Sequence, residues 1–254
     1  MIQASQAPAH FFLAGLGKTM LRPGGRRGTE SILNHLSLSE GSRVLEVAPN
    51  MGTTAIHVAR TYGCHITALD THGPSLERLR DNVKKAGLEH RIECVMGDAR
   101  QLPFADESFD AVINEAMLTM LPNQGKLQAL SEYYRVLKPG GRLGTHDIGL
   151  SENLTEELLK QFRDTIKVPA TPLTIAEWSQ IWSKTDFGHA NCEQMPMSLL
   201  TLEGLLVDEG WEGTIHVLQN AAKSEESRTR FLEIAAFFQK YGPIFGCVIF
   251  LVKK

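Results

Sequence analysis

The sequence predicts an α/β protein built on a doubly wound, mostly parallel sheet. Three observations carry that prediction. Between residues 43 and 148, short continuous apolar runs alternate with amphipathic helical patterns. Such uninterrupted apolar strands belong to a sheet covered on both faces. The first strand–turn–helix, VLEVAPNMGTTAIHVAR at 44–60, sits where an open α/β sheet receives its ligand. The chain has 254 residues and 43% apolar content, enough for one large α/β domain.

The elements follow in order. Residues 1–40 read as an N-terminal helical cap segment, punctuated by RPGGRRG at 22–28. RVLEV is the first strand and 53–62 a helix; HITALD follows, then a helix over 74–86. RIECVMGD and FDAVINEA are the third and fourth strands, a helix covers 125–137, KPGG ends it, and RLGTHDI is the fifth strand. From about 151 to 197 the rhythm breaks. Helical stretches (ENLTEELLKQFRDTI, TIAEWSQIWSK) separated by VPATP and DFGHANCEQMPM read as a lid inserted after strand five. LLTLEGLLVDEGW reads as a helix and GTIHVLQN as the sixth strand. SEESRTRFLEIAAFFQKYG starts with a serine cap and reads as a helix; FGCVIFLVKK closes a seven-stranded sheet. Residues 41–254 thus form the main domain.

Bulk properties exclude several classes. A net charge of −3 gives no basic footprint for nucleic acid or an anionic membrane. The four scattered cysteines form no CxxC pair, which indicates reduced thiols and a cytoplasmic protein. HFFLAGLG near the start lacks the basic flank of a leader peptide, and IFGCVIFLV is too short to cross a membrane. His189, Cys192 and Glu193 in HANCE lack a second half of a ligand set, so no metal is expected.

The turn at 46–52 reads Glu46-x-Ala48-x-Asn50-x-Gly52. Glycine suits such a turn because it allows positive φ and leaves room for a close-lying ligand. Ala48 is the smallest substitute, Asn50 tolerates the left-handed region, and Gly52 is retained. Taken alone, this is equally a tight turn without a ligand. Its companions decide: Asp70 about 20 residues on, GDARQLPF with Asp98 after the third strand, and RVLKPGGRL before the fifth.

On VLEVAPNMGT, ALD, GDARQLPF, ESFDAVINEAML and RVLKPGGRL, residues 41–148 resemble the class I S-adenosylmethionine-dependent methyltransferases, in particular the small-molecule branch that includes quinone-biosynthesis C-methyltransferases. The resemblance implies a Rossmann-like sheet with an antiparallel last strand, and S-adenosyl-L-methionine as cofactor with S-adenosyl-L-homocysteine as product. It implies that Glu46, Ala48, Asn50, Gly52 and Thr53 face the methionine part. Asp70 and Thr71 would hold the ribose, Asp98 and Ala99 would meet the adenine, and Asn114 would lie beside the methyl group. LRPGGRRGTE resembles the Gly-Gly turn that closes over the cofactor in phosphobase and related methyltransferases.

Methyl transfer from a sulfonium disperses charge, so the protein's task is alignment and exclusion of water. A base is needed only where the acceptor must lose a proton. Glu115 and His146, at the ends of the fourth and fifth strands, are the candidates for catalysis, His146 as base and Glu115 as an orienting group. Arg22 is a candidate grip for an acidic substrate group. Trp178 and Met197, with Trp182, Phe187 and Met195, are candidates for an apolar substrate pocket. The expected function is methyl transfer to a small molecule, with no nucleic-acid or membrane partner. A fold relative that binds cofactor weakly, or catalyses another reaction, is the alternative. A nicotinamide oxidoreductase would want G-x-G-x-x-G, which 46–52 lacks.

Overall fold

The computed structural model describes residues 6–254. The first five residues of the predicted cap segment lie outside the described residues. In chain order the elements are α1 (Ala9–Gly15), α2 (Gly25–Leu36), β1 (Arg43–Val47), α3 (Thr53–Tyr62), β2 (His65–Asp70), α4 (Gly73–Ala86), β3 (Ile92–Met96) and β4 (Phe109–Glu115). A 3₁₀ turn at Leu118–Met120 leads to α5 (Asn123–Val136) and β5 (Leu137–Leu150). Then come α6 (Glu156–Ile166), β6 (Leu173–Thr174), α7 (Ile175–Trp182), β7 (Asn191–Pro196), α8 (Leu202–Ala222), α9 (Glu225–Tyr241) and β8 (Phe245–Lys253).

The sheet order is β3-β2-β1-β4-β5-β8-β7, with the two-residue β6 beside the end of β5. Strands β1 to β5 run parallel, and β8 is antiparallel to both β5 and β7. This is the Rossmann-like arrangement that the family resemblance implies. The chain reverses its direction of winding between β1 and β4, so their carboxyl ends open a crevice.

Three apolar cores hold the layers. On one face α2, α3 and α4 bury Ile32, Val58 and Leu79 with Val44, Ile66 and Ile113 of the sheet. On the other, α5 and α7 bury Tyr133, Trp178 and Trp182 with Leu45, Val112 and Phe250. A third core joins α1, α6, α8 and α9 through Leu13, Phe162, Val217 and Ile234, over Ile148 and Phe245 at one end of the sheet. These four helices form a cap.

The sixth strand is not where the sequence placed it. GTIHVLQN lies inside α8, and the edge strand is β7, drawn from the segment expected to be lid. In this second half of α8 the buried residues are Thr214, Val217 and Ala221, at helical spacing, while Ile215 and Leu218 face outward. The 151–197 segment accordingly divides: α6 joins the cap, whereas α7 and β7 are parts of the sheet layers. Helix α7 starts at a capping box, Thr174 with Glu177. The cap is completed by α8 and α9, outside the expected lid. Of the N-terminal segment, α1 belongs to the cap, but α2 packs on the sheet. No helix among the described residues is long and apolar enough to cross a membrane.

Candidate active site

The turn after β1 keeps the conformation its missing glycines would supply. Ala48, Asn50 and Gly52 all have positive φ, at 56°, 52° and 77°. The Ala48 amide donates to Leu69 O at 2.8 Å, and the Gly52 amide to Pro49 O at 2.9 Å. A Cβ on Gly52 would overlap Leu79 of α4. Two L-residues in the left-handed region store on the order of 1–3 kcal/mol each, held by the surrounding packing. Ala116, immediately after β4, also has positive φ, at 55°.

These turns frame a cleft of about 340 Å³ at the switch point, within the range of small-ligand sites. Glu46, Ala48, Asn50, Asp70, Thr71 and Glu115, all candidate site residues, line it, and Arg22 joins them. Glu46 Oε2 and Asn50 Oδ1 are buried oxygens with no hydrogen-bond partner. Burial pushes the Glu46 carboxyl up to about 8, against the pull of the Arg22 charge and the Ala55 amide. Orphaned buried acceptors in a cleft fit a ligand that brings cationic and N–H or O–H donors. Asp70 accepts from the His72 amide at 2.9 Å; burial raises its pKa, and the amides of His72, Thr71 and Asn50 oppose that.

Behind the cleft, Glu115 is the centre of a buried knot. Its Oε2 accepts from the Arg22 guanidinium and from the Thr54 hydroxyl at 3.0 Å; its Oε1 accepts from Thr29 at 2.7 Å and from His146 Nδ1 at 3.2 Å. Arg22 also donates to Thr54 at 2.8 Å. His146 Nε2 accepts the Gly24 amide at 2.8 Å, so the ring proton sits on Nδ1 and points to Glu115. Gly28 leaves room for this: a Cβ there would overlap the imidazole. The glycines of RPGGRRG therefore bring α2 against β5 and deliver Arg22 to the cleft.

This geometry corrects several expectations. His146 is not a base: it is fully buried, uses both nitrogens, and is held neutral, its pKa lowered to about 3 by burial and by Arg22. Glu115, expected as an orienting group, has its four lone-pair sites filled by Arg22, Thr54, Thr29 and His146. Arg22 is paired to Glu115, so it offers no open anion site, although it borders the cleft. Asp98 stands outside the cleft, its carboxylate taken by Arg100 at 2.6 Å, which lowers its pKa; Ala99 is packed in the core. Asn114 is buried beneath the site and donates to the Tyr133 hydroxyl at 3.1 Å. Gly52 and Thr53 shape the turn without lining the cleft. Trp178 is core, its Nε1 donating to Ile148 O at 2.9 Å and its ring against Phe250. Among the described residues no three His, Cys, Asp or Glu gather as a metal set, and Glu193 accepts from Ser31.

Some lining residues were not anticipated. His10 and Phe11 of α1 lie over the cleft, and Phe11 stacks at 4.7 Å on His72, which also lines it. HFFLAGLG shows only as an apolar patch in sequence; nothing in it marks a site. The strap between α1 and α2 is clasped by α8. Glu209 accepts from the amides of Thr19 and Met20 at 2.9 and 3.1 Å and from the Thr19 hydroxyl at 2.7 Å. Buried Lys18 pairs with Asp208 at 2.9 Å and with Glu209 at 3.4 Å. A break in α8 at Gly210 (φ 70°, ψ −177°) follows directly.

A second, apolar cavity adjoins the cleft. Leu13, Met120, Ile148, Phe162, Phe238 and the candidate substrate residue Met197 wall it. His10, Leu21, Arg22, Ala116 and Met120 line both spaces, so the two share a wall.

Residues 44–141 match a family described as a methyltransferase domain. An uncharacterized protein of Haemophilus influenzae is 45% identical over 222 residues, 87% of this chain and 88% of that protein. Methyltransferase GfsG of Streptomyces halstedii is 37% identical over 128 residues, 50% of this chain and 45% of its own length. The solved phosphoethanolamine N-methyltransferase 2 of Haemonchus contortus, in complex with S-adenosyl-L-methionine, superposes with a TM-score of 0.76 at 21% identity. That likeness covers 97% of this chain and 56% of the other, and it shows a shared fold. With the ordered motifs, the strand order and these relatives in agreement, the chain belongs to the class I S-adenosylmethionine-dependent methyltransferases.

Proposed function

We propose that the protein transfers the methyl group of S-adenosyl-L-methionine to a small-molecule acceptor by in-line displacement. The cofactor occupies the cleft at the switch point and the acceptor the apolar cavity beside it. The observation that carries this reading is the adjacency of the two spaces, which share Leu21, Arg22, Ala116 and Met120 as lining. Glu46 and the Ala48–Gly52 turn hold the methionine part, whose cationic groups complete the orphaned Glu46 and Asn50 oxygens. Asp70 and Thr71 hold the ribose. The adenine falls to His10, Phe11 and His72 rather than to Asp98 and Ala99. When bound, the sulfonium supplies an activated methyl group.

The chain's own residues align and dehydrate. The Arg22–Glu115 knot fixes the partition between cleft and cavity, and the strap and α1 close the cleft from water. The altered turn retains positive φ at each glycine-like position, which removes the main support for a degenerate member. The free cysteines suit a reducing, cytoplasmic setting, and the acidic chain suits small-molecule rather than nucleic-acid partners. Calorimetric titration tests the reading: S-adenosylmethionine and S-adenosylhomocysteine bind in the micromolar range, and NAD does not. Absence of binding by the first two overturns it.

A further inference from the structure

The apolar cavity has a volume of about 70 Å³. Three ionisable residues line it: His10, Arg22 and Asp147. Arg22 is committed to Glu115, and burial lowers the His10 pKa to about 4, which leaves it neutral. Asp147 is the one carboxylate on the wall, and it is 1% exposed.

Asp147 is incompletely satisfied. Oδ2 accepts the Thr119 amide at 3.1 Å and Oδ1 the Ile148 amide at 3.0 Å. A carboxylate has about four acceptor positions, so about two remain. Among the described residues no cation bonds it. The buried ammonium of Lys126 turns instead to Leu121 O at 2.7 Å and Thr171 O at 2.9 Å. Burial raises the Asp147 pKa, against the pull of Thr119, of the Ile148 amide and, at longer range, of the Lys126 charge. An unpaired buried charge is costly, and a cationic donor offsets more of that cost than a hydroxyl.

We infer that Asp147 is the acceptor-recognition residue and that the acceptor is a small primary or secondary amine on an apolar group. This deepens the methyl-transfer reading and rests on it. The ammonium docks on the carboxylate and one N–H proton moves to an Asp147 oxygen, which frees the nitrogen lone pair. That pair forms the N–CH₃ bond, the S–CH₃ bond breaks with its electrons left on sulfur, and the Asp147 proton passes to water when the methylated ammonium leaves.

The test uses the full chain saturated with S-adenosylhomocysteine and three probes, n-butylamine, n-butanol and butyrate, followed by saturation-transfer NMR titration. On the wild type, butylamine binds at least tenfold more tightly than butanol, and butyrate does not bind. Asp147→Asn removes most of the butylamine binding while the affinity for S-adenosylhomocysteine holds. Equal binding of amine and alcohol, preference for butyrate, or an Asp147→Asn protein that binds butylamine normally overturns the inference. The wild-type comparison decides even where the variant fails to fold. Failure of S-adenosylhomocysteine to bind is a separate result: it overturns the cofactor reading itself.

Discussion

Cofactor capture must expel a proton from Glu46. Its carboxyl has a pKa of about 8 in the free cleft, raised from 4.5 by burial. About nine-tenths of it is therefore protonated at pH 7. A cationic methionine group beside Oε2 favours the carboxylate. Where binding restores an ordinary value, about 0.9 proton leaves per cofactor at pH 7 and about half a proton at pH 8. Deprotonation at pH 7 opposes binding by about 1.4 kcal/mol, so affinity rises about tenfold per pH unit below 8 and then levels. Calorimetry in phosphate and in Tris at each pH reads the proton count from the difference in apparent enthalpy. Glu46→Gln should bind more weakly and show no pH dependence. Identical enthalpies in the two buffers, or a flat affinity from pH 6 to 9, would refute the assignment of Glu46 to a cationic ligand group.

Further outcomes are expected. Because the folded Glu46 pKa lies above the unfolded one, the folded state binds more protons between pH 4.5 and 8. The free protein then loses stability as pH rises through 8, by on the order of 5 kcal/mol in the limit, and Glu46→Gln should melt higher than wild type at pH 9. Ala48→Gly should stabilise the free protein by about 1 kcal/mol, since it relieves a left-handed alanine, while Gly52→Ala should destabilise it by about 3 kcal/mol or more through the Leu79 overlap; thermal unfolding reads both. Asp70→Ala should weaken S-adenosylhomocysteine binding about tenfold or more in a folded protein, as one lost charge-assisted ribose contact requires; normal affinity counts against the ribose role. His146→Ala should cost about 1–3 kcal/mol, because the Gly24 amide loses its acceptor, yet leave the pH profile of methyl transfer between 5 and 8 unchanged in shape.

The alternation over 43–148 is legible because each strand is buried on both faces and each helix on one, so hydrophobicity itself writes the pattern. The edge strand is not legible. NCEQMP has no β-branched residue and is only half-buried; it becomes a strand because β8 offers it a partner. GTIHVLQN misleads in the opposite sense, since Ile215 and Val217 alternate like a strand although the packed residues follow a helical period. The site divides in the same way. Glu46, Ala48, Asn50 and Asp70 are fixed by local strand–turn–helix geometry and land in the cleft. His146 also stands at a strand end, but Gly24 and Gly28, over a hundred residues earlier, close on its ring; the Gly24 amide takes Nε2 and Glu115 takes Nδ1. Asp98 is lost to Arg100, two residues on, a short-range pairing that competes with any ligand.

The clasp on the strap has a consequence for how the molecule comes into being. Thr19 and its holder Glu209 are 190 residues apart. A growing chain has the turn after β1 and all five parallel strands long before it has the carboxylates that fasten the cover. Such a chain has a floor for its cofactor and no roof. The strap that borders the cleft is thus fastened only after α8 has been made, when most of the polypeptide exists.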